Sequence, residues 1–281
     1  MTEDTRENGM PPPRGGDLVR RHRPSTRLWH WINAFTIFVM LMSGLMIFNA
    51  HPRLYWGQYG ANYDRAWLQI GASGGRGVLI IGRETIDTTG LLGVWKDQDG
   101  VERRRAFPWW ATIPSSYSLA DARIWHFFFA WVLAVSAAAY LVVSLVNRHL
   151  QRDLLPRGEE LRPRHVWHDI RDHLRLRFPR GAAALRYNIL QKLAYLSVIL
   201  GLIPLLILTG LTMAPGVNAA WPWLLDLFGG RQSARSIHFL CAAAMLLFIV
   251  VHLLMVLLAG PFNEIRSMIT GRYRLPKEVD E

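Results

Sequence analysis

Four histidines carry the first chemical signal in this chain. Of its ten histidines, His30, His126, His238 and His252 lie inside long apolar runs, while His22, His51, His149, His165, His168 and His173 fall in loops or tails. A neutral imidazole can bind a metal through one ring nitrogen while the other takes a hydrogen bond. In hydrocarbon such a group is costly, so it normally faces the protein interior and finds a partner there. His238 and His252 are 14 residues apart, roughly 21 Å along a helix axis, and fourteen steps of about 100° bring them to nearly the same face.

The runs that hold them are 28–48, 124–146, 189–213 and 237–259. Each has about 20 apolar residues or more, enough to cross roughly 30 Å of hydrocarbon as a helix, and each is too long and too continuously apolar for a barrel strand. With 51% apolar and only 19% charged residues, the expected class is an all-α integral membrane protein: a four-transmembrane-helix bundle with a long outer loop, 49–123. Residues 1–27 read as a disordered, uncleaved polar leader, since Pro11-Pro12-Pro13 and Gly15-Gly16 suit no packed core and no small-residue cleavage site follows the first run. Residues 147–188 form a basic loop and 261–281 a tail. The single cysteine, Cys241, excludes a disulfide framework, an iron–sulfur cluster and c-type haem attachment.

Charge sets the expected orientation. Residues 1–27, 148–186 and 261–281 share one side and hold 20 Lys or Arg in 87 residues, against 11 in 98 on the other. Both termini are therefore expected in the cytoplasm of a bacterial inner membrane. Most of the 12 Trp, among them Trp29, Trp31, Trp109, Trp110, Trp125, Trp221 and Trp223, lie near span ends, where indole rings anchor at the headgroups. This orientation puts His30 and His252 near the cytoplasmic face, and His126 and His238 near the outer face.

Two cross-bundle imidazole pairs at two depths suit two six-coordinate b haems, and an iron with both axial positions filled leaves none for oxygen or substrate, which argues for electron transfer. Gly44, Gly201 and Gly210, with Ser43, Ser136 and Ala137-Ala138-Ala139, could make room for a porphyrin or serve plain helix packing. Arg27, Arg123, Arg231 and Arg235 could meet propionates or be simple boundary charges. A zinc or copper site needs three or four converging ligands, and a proton relay usually adds an intramembrane Asp or Glu. The four runs supply neither.

The four histidines and the 14-residue gap resemble the di-haem cytochrome b subunits of bacterial formate dehydrogenases, nickel–iron hydrogenases and thiosulfate reductases, a four-helix, cytochrome b561-like family. Arg27-Leu28-Trp29-His30-Trp31, Tyr187-Asn188-Ile189-Leu190-Gln191-Lys192 and the stretch from Gly229 to His238 agree in order and spacing, and the resemblance covers roughly residues 20–275. It implies a cytochrome b domain over 28–260, with His126 and His238 holding the outer haem and His30 and His252 the inner. It further implies a quinone site beside the inner haem, at Asn188, Gln191, Lys192 and His252. Asn188 could donate a hydrogen bond to a quinone carbonyl, and Lys192 could stabilise developing negative charge or merely snorkel to the headgroups.

Members of that family pass electrons between the membrane quinone pool and a peripheral catalytic subunit. The long loop 49–123 departs from the family pattern. Residues 78–81 and 90–93 suggest short strands or a small cap, either a docking surface or a rigid interfacial lid. The expected partner is a periplasmic oxidoreductase containing molybdopterin, the catalytic chemistry being the partner's. Two alternatives stand beside this reading. One is a standalone quinol-linked cytochrome with a small-molecule or soluble-cytochrome acceptor; the other is a haem-free transporter or membrane anchor. Arginines of the 148–186 loop fit membrane topology and anionic lipid rather than nucleic acid.

Overall fold

The computed structural model describes residues 16–61, 63–175 and 187–275. Among these described residues four helices are long and apolar enough to cross a membrane: Pro24–Phe48, Leu119–Val146, Ile189–Met213 and Arg231–Ala259. The chain divides into two compact units. A terminal unit gathers Met1–Trp31, Tyr140–Ser197 and Ile249–Glu281, and a cap unit gathers Ile32–Ala139 and Val198–Phe248.

In the cap unit the long loop is β-structure. Strands Arg53–Leu54, Leu68–Ser73, Arg76–Ile81 and Glu84–Asp87 form one antiparallel sheet in that order. Its central hairpin, in register from Leu68↔Ile81 to Ser73↔Arg76, turns on Gly74 and Gly75, whose φ of 56° and 79° match the two left-handed positions a tight two-residue hairpin requires. Alternation along the strand points Leu68 and Ile70 inward. They join Phe48, Leu54 and Ala106 in a core that also takes Phe239, so the sheet sits on the end of the first span and the start of the fourth. Residues 78–81 are strand, as expected from sequence. Residues 90–93 form a turn instead, because Gly90 and Gly93 take φ of 90° and 77°.

Hydrogen bonds fasten this cap to the first turns of the fourth span. The Arg235 guanidinium donates to the carbonyls of His51 and Arg53. Ser236 Oγ donates to Tyr55 O at 2.5 Å and accepts from Trp67 Nε1 at 3.0 Å. Ser233 Oγ accepts from the Gly57 amide at 2.7 Å. Arg235 is thus a structural clamp rather than an unattached boundary charge.

The terminal unit corrects the expectation of a disordered leader reaching residue 27. Leu18–Arg20 pairs antiparallel with Arg272–Arg274, and the first helix begins at Pro24. Contacts far apart in sequence order this stretch. Arg21 grips both Glu264 oxygens at 3.0 and 3.1 Å and lies over the Tyr273 ring. Residues 1–15, with the Pro and Gly runs, lie outside the described residues. The tail contributes a helix, Pro261–Thr270, pinned by Trp31 Nε1 donating to Met268 O at 3.1 Å. The basic loop contributes a helix, Pro163–Leu174, whose Asp169 accepts from the Ile189 amide at 3.2 Å. In the third span the ring of Pro204 cannot join the regular ladder, and a widened π turn, Ser197–Leu202, absorbs the mismatch just before it.

His22 is buried in this unit. Burial first, then the neighbouring Arg21, His30 and Arg27, push its imidazole down to about 4. As pH falls below 6.5 the unfolded chain takes up a proton that the folded chain refuses until about 4. The stabilisation is therefore complete above pH 6.5 and declines between 6.5 and 4, by on the order of 3 kcal/mol. Thermal melts in detergent across that window are expected to show this slope in the native chain and to lose most of it in His22→Gln.

Candidate functional site

The four intramembrane histidines form two pairs, one in each unit. In the cap unit, His126 on the second span and His238 on the fourth face one another with ring centroids 6.3 Å apart and planes inclined by 62°. In the terminal unit, His30 on the first span and His252 on the fourth stand 6.3 Å apart, inclined by 55°. These are the pairs expected from depth. A metal–imidazole bond is about 2.0–2.1 Å and an imidazole centre lies about 1.1 Å from its nitrogens. Two rings on opposite sides of one iron are then about 6.2–6.4 Å apart, and both pairs match that spacing.

The surroundings of the cap pair supply a second test. A hydroxyl on a neighbouring span holds each ring by Nδ1: Ser43 Oγ at 3.1 Å from His126 and Thr209 Oγ1 at 3.0 Å from His238. Both hydroxyl residues are fully buried. Fixing Nδ1 in this way orients the ring and leaves Nε2 for a metal, as supporting bonds do at metal-ligating histidines. The next residue in each case is glycine. A Cβ at Gly44 would come 3.4 Å from His126 Cε1, and one at Gly210 would come 3.5 Å from His238 Cε1. Ser43-Gly44 and Thr209-Gly210 are thus the same device built on two spans: a hydroxyl to aim the ring and a missing side chain to give it room. Beside the terminal pair, the buried Nδ1 of His30 has no hydrogen-bond partner among the described residues. A buried ring nitrogen with no protein partner, on a histidine that faces a second histidine, fits a site that binds a metal through imidazole. The residues present therefore fit haem.

Thr209 was not singled out by sequence reasoning, although a hydroxyl next to glycine in an apolar run, repeating Ser43-Gly44, was the available signal. Thr209→Val is expected to weaken haem retention by the cap pair about 10–100-fold, the usual weight of such a supporting bond. Haem loss to an excess of apomyoglobin, followed spectrally, measures it.

The other candidates resolve individually. No atom lies within 4 Å of a Cβ at Gly201, so this glycine crowds no imidazole. Ser136 donates to Asn33 Oδ1 at 3.1 Å. Arg123 lies over the Phe127 ring. Asn188 and Gln191 form a reciprocal capping box at the start of the third span, Asn188 Oδ1 accepting from the Gln191 amide at 2.8 Å. This accounts for the spacing of those two residues by helix capping alone. Lys192 does not snorkel. It is 7% exposed, and its Nζ donates to both Glu160 oxygens at 2.7 and 2.8 Å. Sequence reasoning missed Glu160, because nothing in the basic loop marked one carboxylate among five as the partner of a lysine 32 residues away.

Apolar membrane-crossing helices with facing imidazoles define a membrane haem protein. The model of the prokaryotic cytochrome b561 family matches residues 21–271, and the chain belongs to that family. It is thus a multi-pass membrane cytochrome with the four-helix haem-binding fold. It is also similar to a protein of Azospira oryzae described as a putative protein-methionine-sulfoxide reductase subunit YedZ1, at 27% identity over 255 residues, covering 91% of this chain and 98% of the relative. No solved structure matches.

Proposed function

We propose that this chain is a di-haem cytochrome b that carries electrons between the quinone pool and a periplasmic oxidoreductase. The observation that carries the reading is the pair of 6.3 Å imidazole separations, each at the span of one iron. His126 and His238 would hold one b haem, His30 and His252 the other. When bound, haem supplies reversible one-electron chemistry. The chain fixes the position and orientation of each site and keeps it dry among apolar helices, which tunes potential through burial and supporting bonds.

With 20 of the basic residues in the stretches 1–27, 148–186 and 261–281, we place His30 and His252 near the cytoplasmic face of the inner membrane and the loop 49–123 on the periplasmic side. Quinone then reacts beside the terminal pair, near Asn188, Gln191, Lys192 and His252. Two protons must accompany its two-electron reduction, and the Glu160–Lys192 pair places ionisable groups at that end. The sheet fastened to the start of the fourth span through Arg235 and Ser236 offers a partner its surface. The similarity to a putative protein-methionine-sulfoxide reductase subunit favours a periplasmic reductase containing molybdopterin, with electrons flowing outward from quinol.

A reduced-minus-oxidised spectrum of the purified chain, with pyridine-haemochrome quantification, tests this reading. Two low-spin b haems per polypeptide are expected, reducible by a quinol analogue. One haem per chain would refute the paired assignment. A colourless protein from haem-replete cells would favour an anchor or transporter. Rapid turnover of a soluble acceptor by the chain alone would favour a standalone cytochrome.

A further inference from the structure

We infer that the terminal unit binds one anionic phospholipid, its phosphate held by Arg20, Arg27 and Arg272. These residues, with Leu18 and Thr270, line an open cavity of about 450 Å³, and none of the lining residues is acidic. Glu264, the one acidic residue of helix Pro261–Thr270, is taken up by Arg21 at 3.0 Å, so it leaves the charge of the three guanidiniums intact. Arg27 Nε is buried without a hydrogen-bond partner among the described residues. Gly271 admits this side chain: a Cβ there would lie 2.7 Å from Arg27 Nη1, and its φ of 81° suits glycine. Guanidinium forks converging without a carboxylate match the tetrahedral oxygens of a phosphate.

The surface beside the cavity separates a lipid from a soluble anion. Phe262, Ile265 and Ile269 follow one another at helical spacings of three and four residues, which puts them on one face of helix Pro261–Thr270. All three are exposed, Phe262 at 91%. Leu18 and Leu28 are exposed as well. A short helix with a polar side bonded to the protein and an apolar side left open lies in a membrane interface. A free phosphate has no use for that apolar face, whereas a phospholipid presents a phosphate and acyl chains together. Basic pockets at the cytoplasmic ends of spans recognise such headgroups. The inference stands apart from the haem and quinone assignments.

Native mass spectrometry of the full, haem-loaded chain in neutral detergent tests it. The chain is titrated with phosphatidylglycerol or with phosphatidylcholine of the same acyl chains. The native chain is expected to retain one phosphatidylglycerol saturably and phosphatidylcholine much more weakly. Arg20→Gln with Arg272→Gln is expected to weaken phosphatidylglycerol about 30-fold, the weight of two interfacial arginines, with an unchanged haem spectrum. Arg20→Lys with Arg272→Lys, which keeps the charge but not the fork, should fall between them. Equal retention of phosphatidylglycerol by the glutamine variant, or equal retention of both lipids by the native chain, would overturn the inference. So would displacement of the lipid by millimolar inorganic phosphate, which assigns the cavity to a soluble anion. Loss of haem rather than lipid in the glutamine variant would assign the arginines to propionates and overturn it too.

Discussion

His238→Ala is expected to halve the haem content of the purified chain, removing the b haem of the cap pair and leaving the other spectrally intact. His252→Ala should remove the other haem instead and slow reduction by quinol as well. The effects are large because an axial ligand contributes through the metal bond itself, and because its loss leaves the opposite histidine facing an open coordination position. The separation of effects follows from the geometry. His126 and His238 belong to one compact unit, and His30 and His252 to the other, so each substitution strips one site of a ligand and leaves the second pair whole. Haem-to-protein ratios and low-temperature spectra of the two variants distinguish the outcomes. If each variant kept both haems, the ligand assignment would fail. Were both haems lost from each, the substitutions would have unfolded the bundle, and His238→Met, which offers iron a thioether, would then be measured in its place.

Glu160→Gln carries the second largest expected effect. Lys192 is held in the third span by a carboxylate from the basic loop, and its side chain is almost wholly buried. Taking the charge from Glu160 leaves that ammonium desolvated and unpaired, a loss of about 3 kcal/mol. Lys192→Met alone is expected to cost less, since Glu160 is partly exposed and can turn to water. Replacing both residues, Glu160→Gln with Lys192→Met, should recover most of the loss. Apparent melting temperatures of the three variants in detergent form the double-mutant cycle, and additive effects would show that the pair does not couple. The same contact has a pH signature. Burial works most strongly of any one influence, against the charged carboxylate, but the hydrogen bonds from Lys192 and the Arg157 amide together with the charges of both residues outweigh it and hold Glu160 below its ordinary value. Its contribution is therefore present above about pH 4.5 and declines as pH falls through the lower folded value.

Both residues of this pair are visible in the sequence, yet their partnership is not. Lys192 read equally as a quinone ligand or a snorkelling cation, because a lysine near a span end does either with the same spacing. The choice depends on where the basic loop folds back, and helix Pro163–Leu174 with its Asp169–Ile189 bond decides that. Asn188 and Gln191 make the same point. A motif implied by family resemblance to serve quinone also closes a capping box, and the two uses share one pattern of residue types.

Hydrophobic length determined the four spans, since about 20 apolar residues in a row have few other stable environments. Histidine depth determined the two pairs, because helix rise converts sequence position directly into height in a membrane. Those two rules are local, and they were legible before any coordinates. What they could not supply was anything fixed by contacts across the chain. The sheet of the long loop rests on Phe48 and Phe239, far apart in sequence. The placement of residues 18–21 depends on Arg21 meeting Glu264, 243 residues away. The hydroxyls that aim His126 and His238 come from neighbouring spans, and only the rotation of each helix about its own axis turns Ser43 and Thr209 toward those rings. Helix rotation is set by packing against neighbours, and it is there that the tertiary structure, not the periodicity of the sequence, decided which nitrogen of His126 and of His238 is held by a hydroxyl.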